Sequence, residues 1–195
     1  STASGIPSSF TSNFQGAWRI LSSPLDTPNT NLYMATYGSI YRSTDTGKTW
    51  KIVIGNGNDS YYTDMQITKS GVVYATFSSD GNNTKGIFRS ANGVQFTKIS
   101  PPFLQNADRM ILEINPNNEN EVYFLGELPD SNGGVTTANY EGSKEYVCLY
   151  KFTYLHGDGT GSGGLWENLS SNLPVNASSP FDRFNCQGGY DLFVR

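Results

Sequence analysis

The chain is poor in charged residues and offers little to a nucleic acid or a membrane. Only 15% of its 195 residues are charged, the 13 lysines and arginines are scattered, and the formal net charge is −4. Contacts to phosphates need clustered basic side chains, so nucleic acid is not an expected partner. No apolar run approaches the roughly 18 residues of a membrane span. The opening residues STASGIPSSF lack the charged start and apolar core of a signal peptide, so a secreted protein with this N-terminus would be a processed form.

Residues suited to metal or cofactor chemistry are also scarce. There is one histidine, His156, and there are two cysteines, Cys148 and Cys186. The sequence has no Cys/His zinc spacing, no phosphate loop and no EF-hand ligand series, so we expect no cofactor. The acidic loops permit calcium, but nothing specifies it. The two cysteines suit either a disulfide across neighbouring strands or two small buried thiols.

The residues that are plentiful are typical of an all-β protein. Aromatic residues make up 13% of the chain, which also holds 21 glycines and 9 prolines, and no convincing amphipathic helix can be found. Four N-x-[ST] sequons fall in predicted loops, at Asn58, Asn82, Asn168 and Asn176. Together with the low charge, they favour an extracellular setting, either secreted or at the cell surface.

Three stretches of the chain repeat one pattern of strands. Each holds an alternating strand, a loop, a second strand of the kind IYRS, IFRS or CLYKF, a turn, and a short aromatic strand. Tyr33 to Tyr74 spans 41 residues and Tyr74 to Tyr123 spans 49. This period is that of four-stranded propeller blades. We therefore predict a β-propeller of four-stranded antiparallel blades, with units at about 16 to 54, 62 to 100 and 108 to 170.

A fourth strand for each unit lies between the repeats. Segments beginning at Asp64, Arg109 and Asp191 each place a polar residue before apolar residues, and AWRILSSP near residue 20 fits less cleanly. These segments would be the inner strands, lining a central channel, and residues 187 to 195 would start a fourth blade. Closed propellers typically have four to eight blades. Because an unclosed propeller leaves strand edges unpaired, we expect further blades of the same polypeptide, or another chain, to complete the ring.

The segment YRSTDTGKTW matches the pattern S-x-D-x-G-x-T-W. Every specified residue has a structural explanation: Asp45 would accept backbone hydrogen bonds, Gly47 would take a positive φ, and Trp50 would fill the gap between blades. Ser43 and Thr49 would satisfy other polar groups of the turn. Decayed or absent copies in the second and third units, SANGVQF and HGDGTGSGG, favour this structural interpretation over a catalytic or calcium-binding Asp45.

The pattern resembles the Asp-box, or BNR, β-propellers found in sialidases, sortilin-type receptors and xyloglucanase-like glycoside hydrolases. The ending CQGGYDLFVR, residues 186 to 195, resembles an inner strand of the sortilin-like group. These families share a fold and not a function. The arginine of the sialidase Arg-Ile-Pro motif is absent, because Gly5 precedes Ile6 and Pro7. Neither catalytic Asp motif of the xyloglucanase-like enzymes can be recognised, and His156 has no nucleophile elbow nearby.

Two hypotheses follow. One is a noncatalytic binding or scaffold propeller of a larger secreted or surface protein, which engages protein or glycan through its long-loop face. The alternative is a glycoside hydrolase whose catalytic carboxylates lie partly outside these residues. The resemblance places ligands on the face formed by loops that enter the inner strands, and aromatic, acidic and amide groups there suit sugars or peptides. The candidate ligand-binding residues are Tyr61, Tyr62, Asp64, Arg109, Tyr140, Arg183, Tyr190 and Asp191. Alternatively, Asp64, Arg109 and Asp191 cap strand starts and pair with one another.

Overall fold

In the computed structural model, nearly all regular structure is β-strand. The structure describes residues 16–26, 31–55, 62–79, 84–104, 106–139, 141–176, 182, 184–186, 189 and 192. Within these ranges the helical segments are three single 3-10 turns, Pro102–Leu104, Gly161–Gly163 and Ser170–Asn172. None of the described helices is long and apolar enough to cross a membrane. The predicted all-β class is confirmed.

The first two units each form one four-stranded antiparallel sheet in chain order. Blade 1 consists of β1 (Ala17–Ser22), β2 (Leu32–Thr36), β3 (Ser39–Ser43) and β4 (Lys51–Gly55). Blade 2 consists of β5 (Thr63–Ile67), β6 (Val73–Phe77), β7 (Gly86–Ser90) and β8 (Thr97–Lys98). Both sheets are meanders, as expected of propeller blades.

The third sheet, blade 3, has an additional strand. Its strands are β9 (Met110–Ile114), β10 (Glu121–Leu128), β11 (Val135–Ala138), β12 (Lys144–Tyr154) and β13 (Gly164–Asn168). The first half of β12 pairs with β11 and the second half pairs with β13, so the 11-residue β12 has two successive neighbours on one side. Without β11, blade 3 has the same β9-β10-β12-β13 order as the other blades. The insertion between β10 and β12 folds back onto its own blade.

The core lies between blades, and the sheet of blade 2 buries both of its faces. On β6, Val73, Ala75 and Phe77 pack with Tyr33 and Ile40 of blade 1. The alternate residue Tyr74 packs instead in the cluster that contains Phe124 and Phe152 of blade 3. This alternation follows from the two-residue period of a strand. Blade 2 is therefore sandwiched between its neighbours, as in a propeller.

Hydrogen bonds join the inner strands of successive blades. Arg19 of β1 binds Asp64 of β5, which accepts from the backbone N–H of Leu112 in β9. Further along, Gln66 Nε2 donates to Glu113 Oε2 at 2.9 Å. β1, β5 and β9 thus lie side by side, and the predicted inner strands beginning near Asp64 and Arg109 are present. The predicted strand over 187 to 195 lies outside the described residues, apart from Gly189 and Leu192.

One loop prediction was wrong. The sequon residue Asn168 ends β13 and does not lie in a loop. Its side chain is exposed but engaged, because Nδ2 donates to the Gly133 carbonyl and Oδ1 accepts from the Ser170 N–H. These bonds continue the strand into the following 3-10 turn.

Candidate functional site

Trp18 projects where the inner strands begin, at the predicted channel mouth, because of a β-bulge. The pairing of β1 with β2 shifts register between Ala17 and Arg19, which leaves Trp18 as the extra residue. Bulges re-aim side chains in this way. The Trp18 ring lies 5.4 Å from the rings of both Tyr37 and Tyr62, centroid to centroid. Trp18 remains 38% exposed, so part of this aromatic surface faces solvent.

Arg109 lies against the same rings. Its Cζ is 5.0 Å from the ring centroid of Tyr62 and 5.6 Å from that of Trp18. Its Nη1 also donates to the Gly189 carbonyl at 2.8 Å. The cation–π contacts and this hydrogen bond together hold the Arg109 guanidinium in one position. We call Trp18, Tyr37, Tyr62 and Arg109 the mouth cluster.

Asp64 lies beside the mouth cluster and is held by an internal arginine. Its Oδ1 is 2.5 Å from Arg19 Nε, and its Oδ2 accepts from the Leu112 N–H at 3.2 Å. Burial raises the pKa of Asp64, and the charge and hydrogen bonds of Arg19 oppose that rise. Asp64 is buried, with 6% of the residue exposed to solvent. Its position and partners suit a strand-linking ion pair.

Three residues of the mouth cluster, Trp18, Tyr62 and Arg109, line a small pocket. The pocket has a volume of about 120 Å³, below the roughly 300–1,000 Å³ of typical small-molecule sites. Its lining residues are Trp18, Arg19, Tyr62, Thr63, Asp64, Arg109, Met110, Ile111 and Leu192.

The structure brings together some of the residues predicted from sequence. Tyr62, Asp64 and Arg109 meet at this pocket. The other candidates, Tyr61, Tyr140, Arg183, Tyr190 and Asp191, lie outside the described residues. Sequence reasoning missed Trp18, Arg19 and Tyr37. The segment AWRIL does show an adjacent Trp and Arg on an inner strand, but the bulge that turns Trp18 to the mouth leaves no mark in the sequence.

The YRSTDTGKTW segment forms a closed hydrogen-bonded turn after β3. Asp45 Oδ1 accepts from the Thr49 N–H at 2.8 Å, and Oδ2 accepts from the Thr49 hydroxyl at 2.6 Å. Ser43 Oγ donates to Asp45 Oδ1 and accepts from the Gly47 N–H. Gly47 has φ +82°, and the Trp50 indole N–H donates to its carbonyl at 3.0 Å.

These hydrogen bonds control the ionisation of Asp45. The hydroxyl and backbone N–H of Thr49, with a smaller contribution from Ser43, lower the pKa of Asp45 to about 2. The Asp45 carboxylate is therefore engaged by hydrogen bonds within its own turn. β3 begins beside the end of β2 and ends beside its start. Because Trp18 lies near the end of β2, the Asp45 turn and the mouth cluster lie at opposite ends of the strands of blade 1.

The corresponding turns of the other blades keep an acceptor side chain. In blade 2, Asn92 Oδ1 accepts from the backbone N–H groups of Val94 and Gln95 at 3.0 and 2.9 Å. In blade 3, Asp158 Oδ1 accepts from the Thr160 N–H at 2.9 Å. The sequence comparison missed the role of Asp158, because the third turn has a different length and residue spacing.

The two cysteines are separate buried thiols, and the disulfide alternative is not observed. Cys148 lies on β12 in the core between blades 2 and 3. Cys186 instead faces Glu145: its thiol donates to Glu145 Oε2 at 3.3 Å, and its backbone N–H donates to the same oxygen. Burial raises the pKa of both thiols, that of Cys148 to about 12. Different packing partners keep the two sulfurs in different environments.

Comparisons with known proteins give a distant structural likeness only. No protein-family model matches the chain. No curated protein matches it. Among solved structures, an ancestral GH74 enzyme is similar at 12% identity and a TM-score of 0.43, over 84% of this chain and 27% of that one. The GH74 enzyme of Niastella koreensis is similar at 14% identity and a TM-score of 0.36, over 85% of this chain and 32% of that one. The chain thus spans about a third or less of each enzyme, and these likenesses do not assign it an activity.

Proposed function

We propose that this chain is a noncatalytic binding propeller of a secreted or cell-surface protein, and that it binds glycan or protein through the mouth cluster. The observation that carries this proposal is the contact of Trp18 with Tyr37, Tyr62 and Arg109 around a pocket, with Trp18 still 38% exposed. Three rings and a guanidinium form one continuous surface where the inner strands begin.

The chemistry of this surface suits a sugar ring or a peptide side chain. Aromatic faces contribute large contact area, and the N–H and O–H groups of Trp and Tyr add directional bonds. Trp, Tyr and Arg are also the residue types that most often dominate binding energy. Stacking between Arg109 and two rings restricts its rotamers before any ligand arrives. Less conformational entropy is then lost on binding.

The glycoside hydrolase alternative requires two opposed carboxylates. Among the described residues that line the pocket, the carboxylate is Asp64, and it is bound to Arg19 and to the Leu112 N–H. This ion pair favours a structural role for Asp64. Hydrolysis of a bound glycan that is lost in Asp64→Asn would support the alternative in place of the binding function.

A panel experiment tests the binding function. The chain is applied to arrays of neutral oligosaccharides, acidic oligosaccharides and short peptides, and each hit is titrated by calorimetry. We expect saturable binding that falls at least about tenfold in Trp18→Ala, because the stacking surface is lost. The control is Leu155→Ala, an exposed apolar residue in the β12–β13 turn. Equal affinities of Trp18→Ala and the wild type for every hit would contradict the proposal.

We further propose that another blade packs on blade 3. The cross-strand pairs Tyr33–Arg42 and Tyr74–Arg89 of blades 1 and 2 recur as Tyr123–Lys151 in blade 3. In blade 1 the pair is covered by the next blade, because a side chain added at Gly93 would lie 1.9 Å from Tyr33 Oη. Native mass spectrometry of the natural protein is expected to give an assembly or polypeptide larger than three blades. A monomer with the mass of these 195 residues would contradict this proposal.

A further inference from the structure

A second groove lies where blade 1 meets the β7–β8 turn of blade 2. It has a volume of about 350 Å³ and lies on the same side as the Asp45 turn, away from the mouth cluster. Its lining residues are Arg42, Thr44, Thr49, Lys51, Ile52, Val53 and Val94. We call it the first-junction groove. It combines two basic side chains with apolar ones in a chain whose net charge is −4.

The next blade junction holds a corresponding groove of about 250 Å³, the second-junction groove. Arg89 occupies the place of Arg42, because Arg42 pairs across its sheet with Tyr33 and Arg89 pairs in the same way with Tyr74. The second-junction groove contains a carboxylate, Asp158, contributed by the turn of blade 3. Hydrogen bonds from Thr160 chiefly lower the pKa of Asp158, and the charge of Arg89 adds to that effect. Here an arginine and a carboxylate of the chain itself line the same groove.

In the first-junction groove, no such carboxylate is present among the described lining residues. The turn of blade 2 contributes Val94, which is 46% exposed, and blade 1 adds a second cation, Lys51. The neighbouring Asp45 is occupied by Thr49 and Ser43. In the described part of the chain, the ion pairs are Arg19–Asp64 and Lys151–Glu167, and neither involves the groove.

Arg42 is held in position for a ligand. Its Nη2 donates to Asn31 Oδ1 at 3.0 Å, and its Cζ lies 5.5 Å from the ring centroid of Tyr33. Its Nε is buried and has no hydrogen-bond partner within the described ranges. No carboxylate of the described residues pairs with Arg42, so its positive charge is left to attract an anionic ligand in the groove.

The groove also has a backbone edge. β4 pairs with β3 on one side and ends the sheet of blade 1 in the described structure. Edge strands accept an extended peptide through backbone hydrogen bonds, and side-chain pockets beside the edge give specificity. On this edge Ile52 is 42% exposed and lies beside Lys51. A peptide that alternates acidic and apolar residues matches this pattern.

We propose that the first-junction groove binds an extended acidic peptide segment of a partner protein, with a carboxylate between Arg42 and Lys51 and an apolar side chain against Ile52 and Val94. The site is separate from the mouth cluster and does not depend on its ligand. In the first-junction groove the partner would supply a carboxylate, as Asp158 of the chain itself does in the second-junction groove.

The test uses a fluorescein-labelled, end-blocked peptide Val-Asp-Val-Asp-Val and fluorescence anisotropy at low salt. The wild type is expected to bind it saturably with one site. Val94→Asp places a carboxylate of the chain itself in the groove and should weaken binding about tenfold or more, whereas the isosteric Val94→Asn should change it less than about threefold. Lys51→Glu should weaken binding as Val94→Asp does. The matched charge change Lys144→Glu, at an exposed site on β12, should not.

Several results would overturn the proposal. These are a lack of saturable binding, equal loss in Val94→Asp and Val94→Asn, or a loss in Lys144→Glu as large as that in Lys51→Glu. Stronger competition by an oligogalacturonate than by unlabelled peptide would assign the groove to acidic glycans, and the peptide assignment would then be wrong. Thermal unfolding of each variant checks that the fold is retained, and position 94 is exposed enough for both substitutions.

Discussion

Gly93→Ala tests the packing of one blade on the next. Gly93 has φ +68°, and a Cβ added there would lie 1.9 Å from Tyr33 Oη and 2.8 Å from Tyr33 Cζ. A non-glycine residue in the left-handed region costs about 1 kcal/mol, and overpacking costs about a further 2 kcal/mol. We therefore expect a loss of about 3 kcal/mol. At about 3 °C per kcal/mol for a chain of this size, the melting temperature should fall by about 9 °C.

Gly157→Ala is the matched control. Gly157 has φ +64°, so the backbone cost is the same, but nothing lies within 4 Å of an added Cβ. Its melting temperature should fall by only about 3 °C. Differential scanning calorimetry of the two variants under one condition gives the comparison. If Gly93→Ala is no less stable than Gly157→Ala, Tyr33 does not pack against the blade 2 turn as described, and the account of the blade interface fails.

Three further predictions concern named side chains. Since Asp45 has a pKa of about 2 in the fold against an ordinary 3.8, its stabilising contribution is present above 3.8 and is lost as pH falls towards 2, so Asp45→Asn should flatten the dependence of melting temperature on pH in that window. Asp64→Ala removes the acceptor for Arg19 and the Leu112 N–H and should cost about 2 kcal/mol by urea unfolding; a loss below about 0.5 kcal/mol would contradict the ion pair's structural role. Cys148 and Cys186 should resist Ellman's reagent in the native state and both react in guanidinium without reductant, whereas a disulfide would leave no reactive thiol.

The blade architecture could be predicted from sequence because its determinants are local. The turn between the third and fourth strands holds a glycine with positive φ and an acceptor side chain in two successive units, Gly47 with Asp45 and Gly93 with Asn92, although their spacing differs. The run of residues VYATF on β6, all five of them buried, likewise follows from a strand covered on both faces. These features depend on a few neighbouring residues, which a single sequence displays.

The candidate site could be predicted only in part because it depends on contacts between blades. The position of Asp64 at the start of an inner strand was evident, but its partner Arg19 is 45 residues away. A bulge directs the Trp18 side chain towards Tyr37 and Tyr62. The role of Asp158 depends on the packing that brings its turn into the same groove as Arg89. The fold of the insertion β11 against β12 likewise reflects long-range pairing.

The most direct test of the proposed function is equilibrium dialysis of the best oligosaccharide or peptide hit against the chain, with mass analysis of the recovered ligand. We expect the wild type to retain the ligand saturably and return it intact, and Trp18→Ala to retain little of it. Recovery of hydrolysed ligand would contradict a noncatalytic role. Equal retention by Trp18→Ala and the wild type would show that binding does not use the mouth cluster.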